Sequence, residues 1–287
     1  MRLTTLRTDQ GEVAALVHPR GALPLAALND LAGTRWSTTV QLLLERGQLD
    51  DLRSWLAGDG RQVVADVDAA VVPADRVRHA PLYRRPRKIW GIGLNYVEHA
   101  ADLAEQAPSE EPASFLKPDT TIIGPGDPIR IPPQSSRTTA EGELGLVIGR
   151  ECRDVDEADA PGVVAGFTTV IDMTAEDILE RNPRYLTRAK SFDTFFSFGP
   201  ELVTVDEVRD VDALEVATLL NGQVHRRNVV SNMTFRPWWL VAFHSRVMTL
   251  LPGDVISTGT PGAARIRSGD VAGCSITGFR GLSNPVA

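Results

Sequence analysis

The chain has 287 residues, of which 43% are hydrophobic and 23% are charged, which is typical of a globular protein with one large or two modest domains and argues against disorder. Its formal net charge is −7, and no basic stripe is present that would bind nucleic acid. No signal peptide is expected. No apolar run approaches the length of roughly 20 residues that a membrane-spanning helix needs. Cys152 and Cys274 have no metal-site spacing. We therefore expect a cytoplasmic protein with reduced cysteines and no nucleic-acid or membrane partner.

The first part of the chain is predicted to form a small N-terminal α/β unit, residues 1–80, and a segment rich in proline and arginine separates it from a larger domain, residues 81–287. Hydrophobic spacing and turn residues predict the elements of this unit: strands at 2–6, 12–17 and 63–72, and helices at 38–46 and 49–57. No catalytic constellation is present in it.

The larger domain opens with a strand that contains Gly91 and Gly93. A dinucleotide site is not expected there, because the third glycine and the long helix that such a site needs are missing. The following short helix, residues 97–106, places His99 and Asp102 three residues apart and hence on one face. A histidine beside a carboxylate can act as an acid/base pair. The alternative is an exposed helix whose charged face only contacts water.

Three acidic residues lie at the ends of two predicted buried strands. Glu141 and Glu143 open the apolar run 144–149, and Asp172 closes the apolar run 163–171. Residues two apart on a strand point to the same face, so the two glutamates are predicted to project together. Three buried carboxylates are costly to hold together without a cation. An all-oxygen cluster suits Mg²⁺ or Mn²⁺ better than zinc.

Further elements follow on both sides of this acidic segment. Pattern and turn residues predict strands at 113–117, 129–133, 214–220, 223–226 and 255–262, and helices at 174–181 and 235–248. Thr174 and Asp177 have the spacing of a helix cap. Asn221 and Gly222 are typical of a two-residue hairpin turn. His244 falls inside a helix with no partner in sight and is predicted to be a packed or surface residue rather than a ligand.

Several short motifs occur in a fixed order in the larger domain. They are Gly93-Leu94-Asn95-Tyr96-x-x-His99, Phe115-x-Lys117-Pro118, Ile123-Gly124-Pro125-Gly126, Glu141-x-Glu143-Leu144, Asp172-x-Thr174-Ala175, Lys190-Ser191-Phe192-Asp193-Thr194, Asn221-Gly222, Pro252-Gly253-Asp254 and Thr258-Gly259-Thr260-Pro261. This order closely resembles the fumarylacetoacetate hydrolase family, which includes acylpyruvate hydrolases, oxaloacetate decarboxylases and 2-hydroxyhepta-2,4-diene-1,7-dioate isomerases. The resemblance covers the chain from about residue 86 to its C-terminus.

The resemblance implies an α+β fold, a β-rich mixed roll that is usually a homodimer, with one Mg²⁺ or Mn²⁺ per site. It also implies roles for particular residues. These are Glu141, Glu143 and Asp172 as metal ligands, His99, Asp102 and Lys190 in catalysis, and Lys117, Glu176, Leu179 and Thr260 as substrate contacts.

The function implied is hydrolysis of a carbon–carbon bond in a 2,4-dioxo acid of the acylpyruvate type. The partners implied are the small 2-oxo acid substrate and, in the homodimer, a second copy of the chain. One alternative is a decarboxylase or an enol–keto isomerase of a 2-oxo or 2-hydroxydienoic acid, because these reactions use the same enolate chemistry without an attacking water. A second alternative, of a different class, is a metal-binding family member without turnover.

The sequence departs from the family's usual pattern at three positions. Asp102 replaces a glutamate, Glu176 replaces an arginine and Leu179 replaces a glutamine. One interpretation is that Glu176 faces away, or pairs with Arg181 or Arg188, and that catalysis is ordinary. The other is that the substrate is less anionic or more apolar than the usual acylpyruvates.

Overall fold

The computed structural model describes residues 1–67, 69–97 and 108–287. His99 and Asp102 lie outside these residues. Strands dominate the described chain, and they are, in order, β1 (Arg2–Thr8), β2 (Gly11–His18), β3 (Gly21–Pro24), β4 (Val72–Pro73), β5 (Ile89–Gly93), β6 (Ala113–Lys117), β7 (Ile122–Ile123), β8 (Thr138–Ile148), β9 (Val164–Ala175), β10 (Phe196–Phe198), β11 (Glu201–Thr204), β12 (Glu215–Leu220), β13 (Gln223–Val229), β14 (Val255–Ser257), β15 (Ala263–Ile266), β16 (Val271–Ile276) and β17 (Leu282–Pro285).

The helices are short, and most of them lie before β5 or between β9 and β10. They are α1 (Leu25–Ala32), α2 (Val40–Glu45), α3 (Leu49–Ala57), α4 (Gly60–Asp66), α5 (Glu176–Arg181), α6 (Leu186–Lys190) and α7 (Pro237–Val247). The expected α+β fold, rich in β-structure, is confirmed. No helix of the described chain is long and apolar enough to cross a membrane.

The two longest strands, β8 and β9, form the centre of the structure. They pair antiparallel along their whole length, and every residue in both is buried. Their side chains alternate between two hydrophobic clusters: Leu144 and Leu146 pack in one, and Val147 and Val170 pack in the other. Full burial on both faces explains why these strands have continuous apolar runs rather than a simple polar/apolar alternation.

The described strands form two sheets, and β8 and β9 both belong to the larger one. A 13-stranded sheet contains the path β4-β3-β2-β1-β11-β9-β8-β14-β5-β6, and a four-stranded sheet has the order β13-β12-β16-β17. β1 pairs antiparallel with β11, so the strands of the N-terminal unit belong to the large sheet. The division of the chain at residue 80 stays a prediction.

Three elements differ from the expectations. The segment 63–72, predicted as a strand, contains the end of α4 and only reaches extended structure at β4. The segment 129–133 forms a single bridge, from Ile129 to Val286, rather than a strand. The helix expected at Thr174 begins at Glu176 instead, because Ala175 still pairs with Thr138 and the β8–β9 ladder continues past the predicted cap.

The hairpin at Asn221 and Gly222 is confirmed. Their φ angles of 53° and 78° are the positive values that a tight turn of this kind needs. Cys152 and Cys274 are both free and buried, as expected. His244 is a packed residue on α7, as expected, with no exposed surface.

His244 is held by a single hydrogen bond among the described residues. Its Nδ1 lies 2.8 Å from the Leu240 carbonyl oxygen, so this nitrogen donates and carries the ring hydrogen. The opposite nitrogen, Nε2, is buried and has no partner in the part of the chain that the structure describes. The ring also lies 4.6 Å from that of Trp90. A protonated ring would therefore bring a charge into an apolar environment.

Replacing His244 by phenylalanine is expected to make stability less sensitive to acid. Burial lowers the pKa of His244, and the hydrogen bond to Leu240 only partly opposes this. As pH falls below the ordinary value of 6.5, the unfolded chain takes up a proton that the folded chain does not, and stability is lost. The melting temperature of the variant minus that of the wild type should thus be more positive at about pH 5.5 than at about pH 7.5.

His225→Phe is the matched control, because His225 is exposed on β13 and should not show this change. Thermal unfolding at the two pH values measures both variants. A difference in melting temperature between His244→Phe and the wild type that is the same at both pH values would contradict the prediction.

Candidate metal centre

The three predicted acidic ligands meet on one face of the β8–β9 pair. Glu141 lies directly opposite Asp172 in the ladder, and Glu143 lies two residues further along β8. One carboxylate oxygen from each residue lies within 4.8 Å of the others. All three residues are buried, with 9% or less of each residue's surface exposed. The alternation of a strand is sufficient to bring the two glutamates together, and the pairing register adds the aspartate.

Two buried lysines lie against this acidic cluster. Lys190, the last residue of α6, donates to Asp172 Oδ2 at 2.7 Å and to Glu141 Oε2 at 3.0 Å. Lys117, at the end of β6, donates to Asp172 Oδ1 at 2.5 Å and to the main-chain carbonyl of Lys190. The Phe115 ring covers Lys190, its centre 4.9 Å from Nζ. Three carboxylates and two ammonium groups leave one net negative charge in the centre.

Burial and charge act differently on these groups. Burial, with repulsion from Asp172 and Glu141, raises the pKa of the Glu143 carboxyl to about 8. Burial opposes the charge on Lys190, but the attraction of Asp172 and Glu141 outweighs it and raises the pKa of the ammonium group. Burial lowers the pKa of Lys117, which Asp172 only partly offsets. Lys190 is thus a firmly protonated cation, and Glu143 is the acid least favoured to ionise.

Glu143 is anchored by the strand and loop that follow Pro252. The Ser257 hydroxyl donates to its Oε2 at 2.5 Å, and the Gly259 amide donates to the same atom at 2.9 Å. Among the described residues both hydrogen bonds fall on Oε2, which leaves Oε1 for a ligand. The loop itself is held by Asn95, whose side-chain amide donates to the Thr258 carbonyl at 2.8 Å.

The glycine between the two glutamates is required by the second sheet. A Cβ at Gly142 would lie 2.8 Å from the Ala217 carbonyl oxygen of β12, closer than real Cβ atoms come. The Gly142 amide donates to the Thr218 hydroxyl at 2.9 Å, and that hydroxyl lies 3.1 Å from the one of Thr260. Thr260, the predicted substrate contact, is therefore buried and connected to the acidic strand through Thr218.

Thr174 has a role in the centre that the sequence pattern did not reveal. Its hydroxyl donates to Glu141 Oε1, and it does not cap a helix as predicted. Extending the two-residue alternation of β9 from Asp172 would have found it, since residues 172 and 174 share a face. The predicted capping acid, Asp177, instead accepts hydrogen bonds from Ser135 and Ser136.

The donor set fits a hard divalent cation. Three carboxylates supply only oxygen atoms, which Mg²⁺ and Mn²⁺ prefer. Burial, and then repulsion from Asp172 and Glu141, disfavours the ionised form of Glu143. A divalent cation would supply the missing positive charge and favour the ionised form of Glu143. The geometry does not discriminate between Mg²⁺ and Mn²⁺.

Glu176 and Leu179, the two unusual residues of the predicted substrate wall, lie at the outer end of the strand pair. Glu176 forms an ion pair with Arg137, Nε to Oε2 at 2.8 Å, and not with the Arg181 or Arg188 considered from the sequence. Leu179, on α5, is half-buried and packs against the main core cluster. Both sit beyond the metal centre, so their substrate contacts stay predictions.

The other predicted site residues can be placed only in part. The Lys117 ammonium is buried against Asp172, and its substrate contact is untested by this geometry. The acid/base pair His99 and Asp102 lies outside the described residues. The structure therefore assembles the metal half of the predicted site, and the roles in catalysis stay predictions.

Comparison with known proteins agrees with this geometry. Residues 88–287 match the family model described as fumarylacetoacetate (FAA) hydrolase C-terminal. The mitochondrial oxaloacetate tautomerase fahd2 of Xenopus laevis is 39% identical over 210 residues, which are 70% of this chain and 66% of that protein.

Two solved structures align over the whole chain. The 5-carboxymethyl-2-hydroxymuconate delta-isomerase from Mycobacterium smegmatis has a TM-score of 0.76 and 32% identity, covering 100% of this chain and 98% of that one. The maleylpyruvate hydrolase from Sphingobium sp. SYK-6, in complex with manganese(II) ion and pyruvate, has a TM-score of 0.80 and 27% identity, covering 100% of this chain and 99% of that one. Proteins similar to this chain thus include a tautomerase, an isomerase and a hydrolase.

Proposed function

The chain belongs to the fumarylacetoacetate hydrolase family, and from this we propose that it is a divalent-metal-dependent enzyme acting on small 2-oxo acids. The leading reaction is hydrolysis of the carbon–carbon bond between C3 and C4 of an acylpyruvate-like 2,4-dioxo acid. The observation that carries this proposal is the buried cluster of Glu141, Glu143 and Asp172 with the Lys190 ammonium against it. Support also comes from the manganese and pyruvate in the related maleylpyruvate hydrolase.

The three carboxylates would hold Mg²⁺ or Mn²⁺. When bound, such an ion supplies Lewis-acid stabilisation of the negative charge that develops on a 2-oxo acid. Lys190 adds a fixed positive charge beside it, since its ammonium is buried and held by two carboxylates. A cation held in this way needs no reorganisation when charge develops, which is how preorganised groups lower a barrier.

The predicted acid/base pair, His99 and Asp102, would carry out the proton transfers. His99, oriented by Asp102, takes a proton from the water that attacks the C4 carbonyl. The C3–C4 bond then breaks, its electron pair stays on C3, and C4 leaves as a carboxylic acid. The proton on His99 returns to C3, which gives pyruvate and restores the neutral imidazole. The hydroxyl group of the water thus ends on C4, and its remaining hydrogen ends on C3.

Enol–keto isomerisation or decarboxylation of a 2-oxo acid is the second candidate. It is favoured by the relatives named as an oxaloacetate tautomerase and a delta-isomerase, which are 39% and 32% identical to this chain, against 27% for the hydrolase. These reactions need the same charge stabilisation by Lys190 and the metal, without an attacking water. The metal half of the centre supports both candidates equally.

A turnover assay separates these reactions. With Mg²⁺ or Mn²⁺, the protein is expected to convert an acylpyruvate into pyruvate and a carboxylic acid in equal amounts, and excess chelator should abolish this. Product analysis by NMR, with oxaloacetate and a hydroxydienoate as parallel substrates, identifies the reaction. An isomer as the sole product, or CO₂ together with the decarboxylated oxo acid in equal amounts, would establish the second candidate. No conversion of any 2-oxo acid with either metal would contradict both and leave a metal-binding protein without turnover.

A further inference from the structure

The face of the β8–β9 pair that holds the acidic cluster continues outward as a row of polar side chains. Alternation along β8 places Thr139 beyond Glu141, and alternation along β9 places Thr174 beyond Asp172. Glu176, the first residue of α5, follows directly after the end of β9, where its amide donates to the Arg137 carbonyl. Thr139 and Thr174 are directly opposite each other in the ladder. Since a strand rises about 3.4 Å per residue, Thr139 lies about 7 Å from Glu141 along this row.

The hydroxyl of Thr139 is buried without a hydrogen-bond partner. Only 3% of the residue is exposed, and no described residue accepts from or donates to its Oγ1. Thr174, across the ladder, is equally buried but donates to Glu141. Buried hydroxyl groups in folded proteins are nearly always hydrogen-bonded, so a partnerless one beside a substrate site indicates a group that a ligand supplies. A hydroxyl can donate to a carbonyl or pair with another hydroxyl.

The outer end of the row is negatively charged. Arg137 forms ion pairs with both Glu176 and Glu180, so two carboxylates against one guanidinium leave one net negative charge. Glu176 is only 19% exposed. Burial raises its pKa, the charge of Arg137 opposes this, and the charge of Glu141 adds to the rise. A carboxylate on the distal end of a substrate would be repelled here.

Leu179, three residues after Glu176 on α5, is half-buried and packs on the core cluster that also holds Leu144 and Leu146. It is therefore not part of this row. Beyond the acidic cluster, a substrate tail would meet the neutral Thr139 hydroxyl and a net negative charge.

We propose that Thr139 and Glu176 determine the substrate class of this site. The substrate is a 2-oxo acid with a single carboxylate, whose tail has a neutral hydrogen-bonding group that reaches Thr139 and no carboxylate at its end. This inference rests on the proposed function, because it takes the 2-oxo acid end to be bound at the acidic cluster. The proposed function concerns the 2-oxo acid end of the substrate, whereas this inference concerns only the tail.

The test uses three acylpyruvates of equal chain length whose acyl chain ends in a methyl group, a hydroxyl group or a carboxylate. For the wild type with Mg²⁺, kcat/KM is expected to be highest with the hydroxyl and at least about 10-fold lower with the carboxylate. Thr139→Val should lower kcat/KM for the hydroxyl compound about 10-fold, mainly through KM, and leave the methyl compound unchanged. Glu176→Gln should raise kcat/KM for the carboxylate compound.

Thr168→Val is the matched control. Thr168 is also a buried threonine whose hydroxyl has no partner among the described residues, and it lies on β9 four residues before Asp172, next to apolar Val170. On that side of the cluster the row is apolar, so this variant should keep the wild-type order of the three compounds. If it changes the order as Thr139→Val does, the assignment to Thr139 is overturned.

Calorimetric binding of the same three compounds, in the presence of Mg²⁺, distinguishes failure of the tail proposal from failure of the function. The wild type could convert or bind all three compounds but prefer the carboxylate compound, and Glu176→Gln could keep that preference. This result would overturn the tail proposal and leave the proposed function standing. Neither conversion nor binding of any of them would overturn both. Preference for the hydroxyl compound that disappears in Thr139→Val supports the proposal.

Discussion

Replacing Glu143 by glutamine is expected to abolish metal-dependent turnover and to weaken Mg²⁺ or Mn²⁺ binding by at least about 100-fold, since even residues that only support a ligand cost about 10- to 100-fold. The variant removes one of three carboxylates whose oxygens lie within 4.8 Å of one another. The remaining amide oxygen can still accept from the Ser257 hydroxyl and the Gly259 amide. Metal titration by calorimetry and the turnover assay measure the two effects.

The same variant should be more stable than the wild type without metal. The pKa of Glu143 is raised from 4.5 to about 8, so its carboxyl opposes folding increasingly as pH rises from about 4.5 to about 8. Glutamine removes this cost, and the gain in melting temperature over the wild type should grow across that pH window. Stabilisation together with lost metal binding would distinguish a ligand from a residue that only supports the fold.

Glu201→Gln is the matched control for Glu143→Gln. Glu201 is also buried, with 4% of its surface exposed, but it lies on β11, outside the acidic cluster, and pairs with Arg280 at 2.7 Å. This control should lose stability and keep its metal affinity. Undiminished turnover of Glu143→Gln, or turnover of the wild type in excess chelator, would refute the metal site.

Replacing Lys190 by methionine is expected to destabilise the metal-free protein by about 3–5 kcal/mol, because a buried carboxylate that loses its partner is costly. The ammonium is 6% exposed and contacts both Glu141 and Asp172. Turnover should fall at least about 100-fold, the lower range for loss of a preorganised charge at a reacting centre. Thermal unfolding and kcat measure these two effects.

Added Mg²⁺ should restore part of the stability that Lys190→Met loses. A divalent cation can neutralise the same carboxylates, and a ligand that binds only the folded state stabilises it in proportion to the logarithm of its concentration. The rise in melting temperature with Mg²⁺ should therefore be larger for the variant than for the wild type.

Lys88→Met provides the comparison for this rescue. Lys88 forms an ion pair of 2.6 Å with the fully buried Asp254, outside the acidic cluster. Its loss should also destabilise the protein, but Mg²⁺ should not restore the stability. Equal rescue of both lysine variants would show that the ion acts elsewhere, and no rescue of Lys190→Met would contradict a cation site at the carboxylates that Lys190 contacts.

Short-range patterns were sufficient for the acidic strand pair. Two glutamates separated by one residue share a face of any strand, and the apolar run that follows them marks that strand as buried. The same reasoning holds for the hairpin at Asn221, where two residues alone set the turn. Local patterns were wrong at α4, part of which was predicted as a strand, and at the start of α5, which was predicted two residues too early. At α5 the continued pairing of β9 with β8 outweighed the local cap signal at Thr174.

The sequence by itself was sufficient to predict the family, the α+β fold and the grouping of the three acidic residues, because each depends on spacing along one segment or on motif order. Only the tertiary structure decided what surrounds them. β12 crossing at Gly142, the Thr174 hydroxyl on Glu141 and the ion pair between Arg137 and Glu176 join residues that are distant in the chain. Such contacts depend on strand register and sheet packing, which bring together side chains that no local pattern relates.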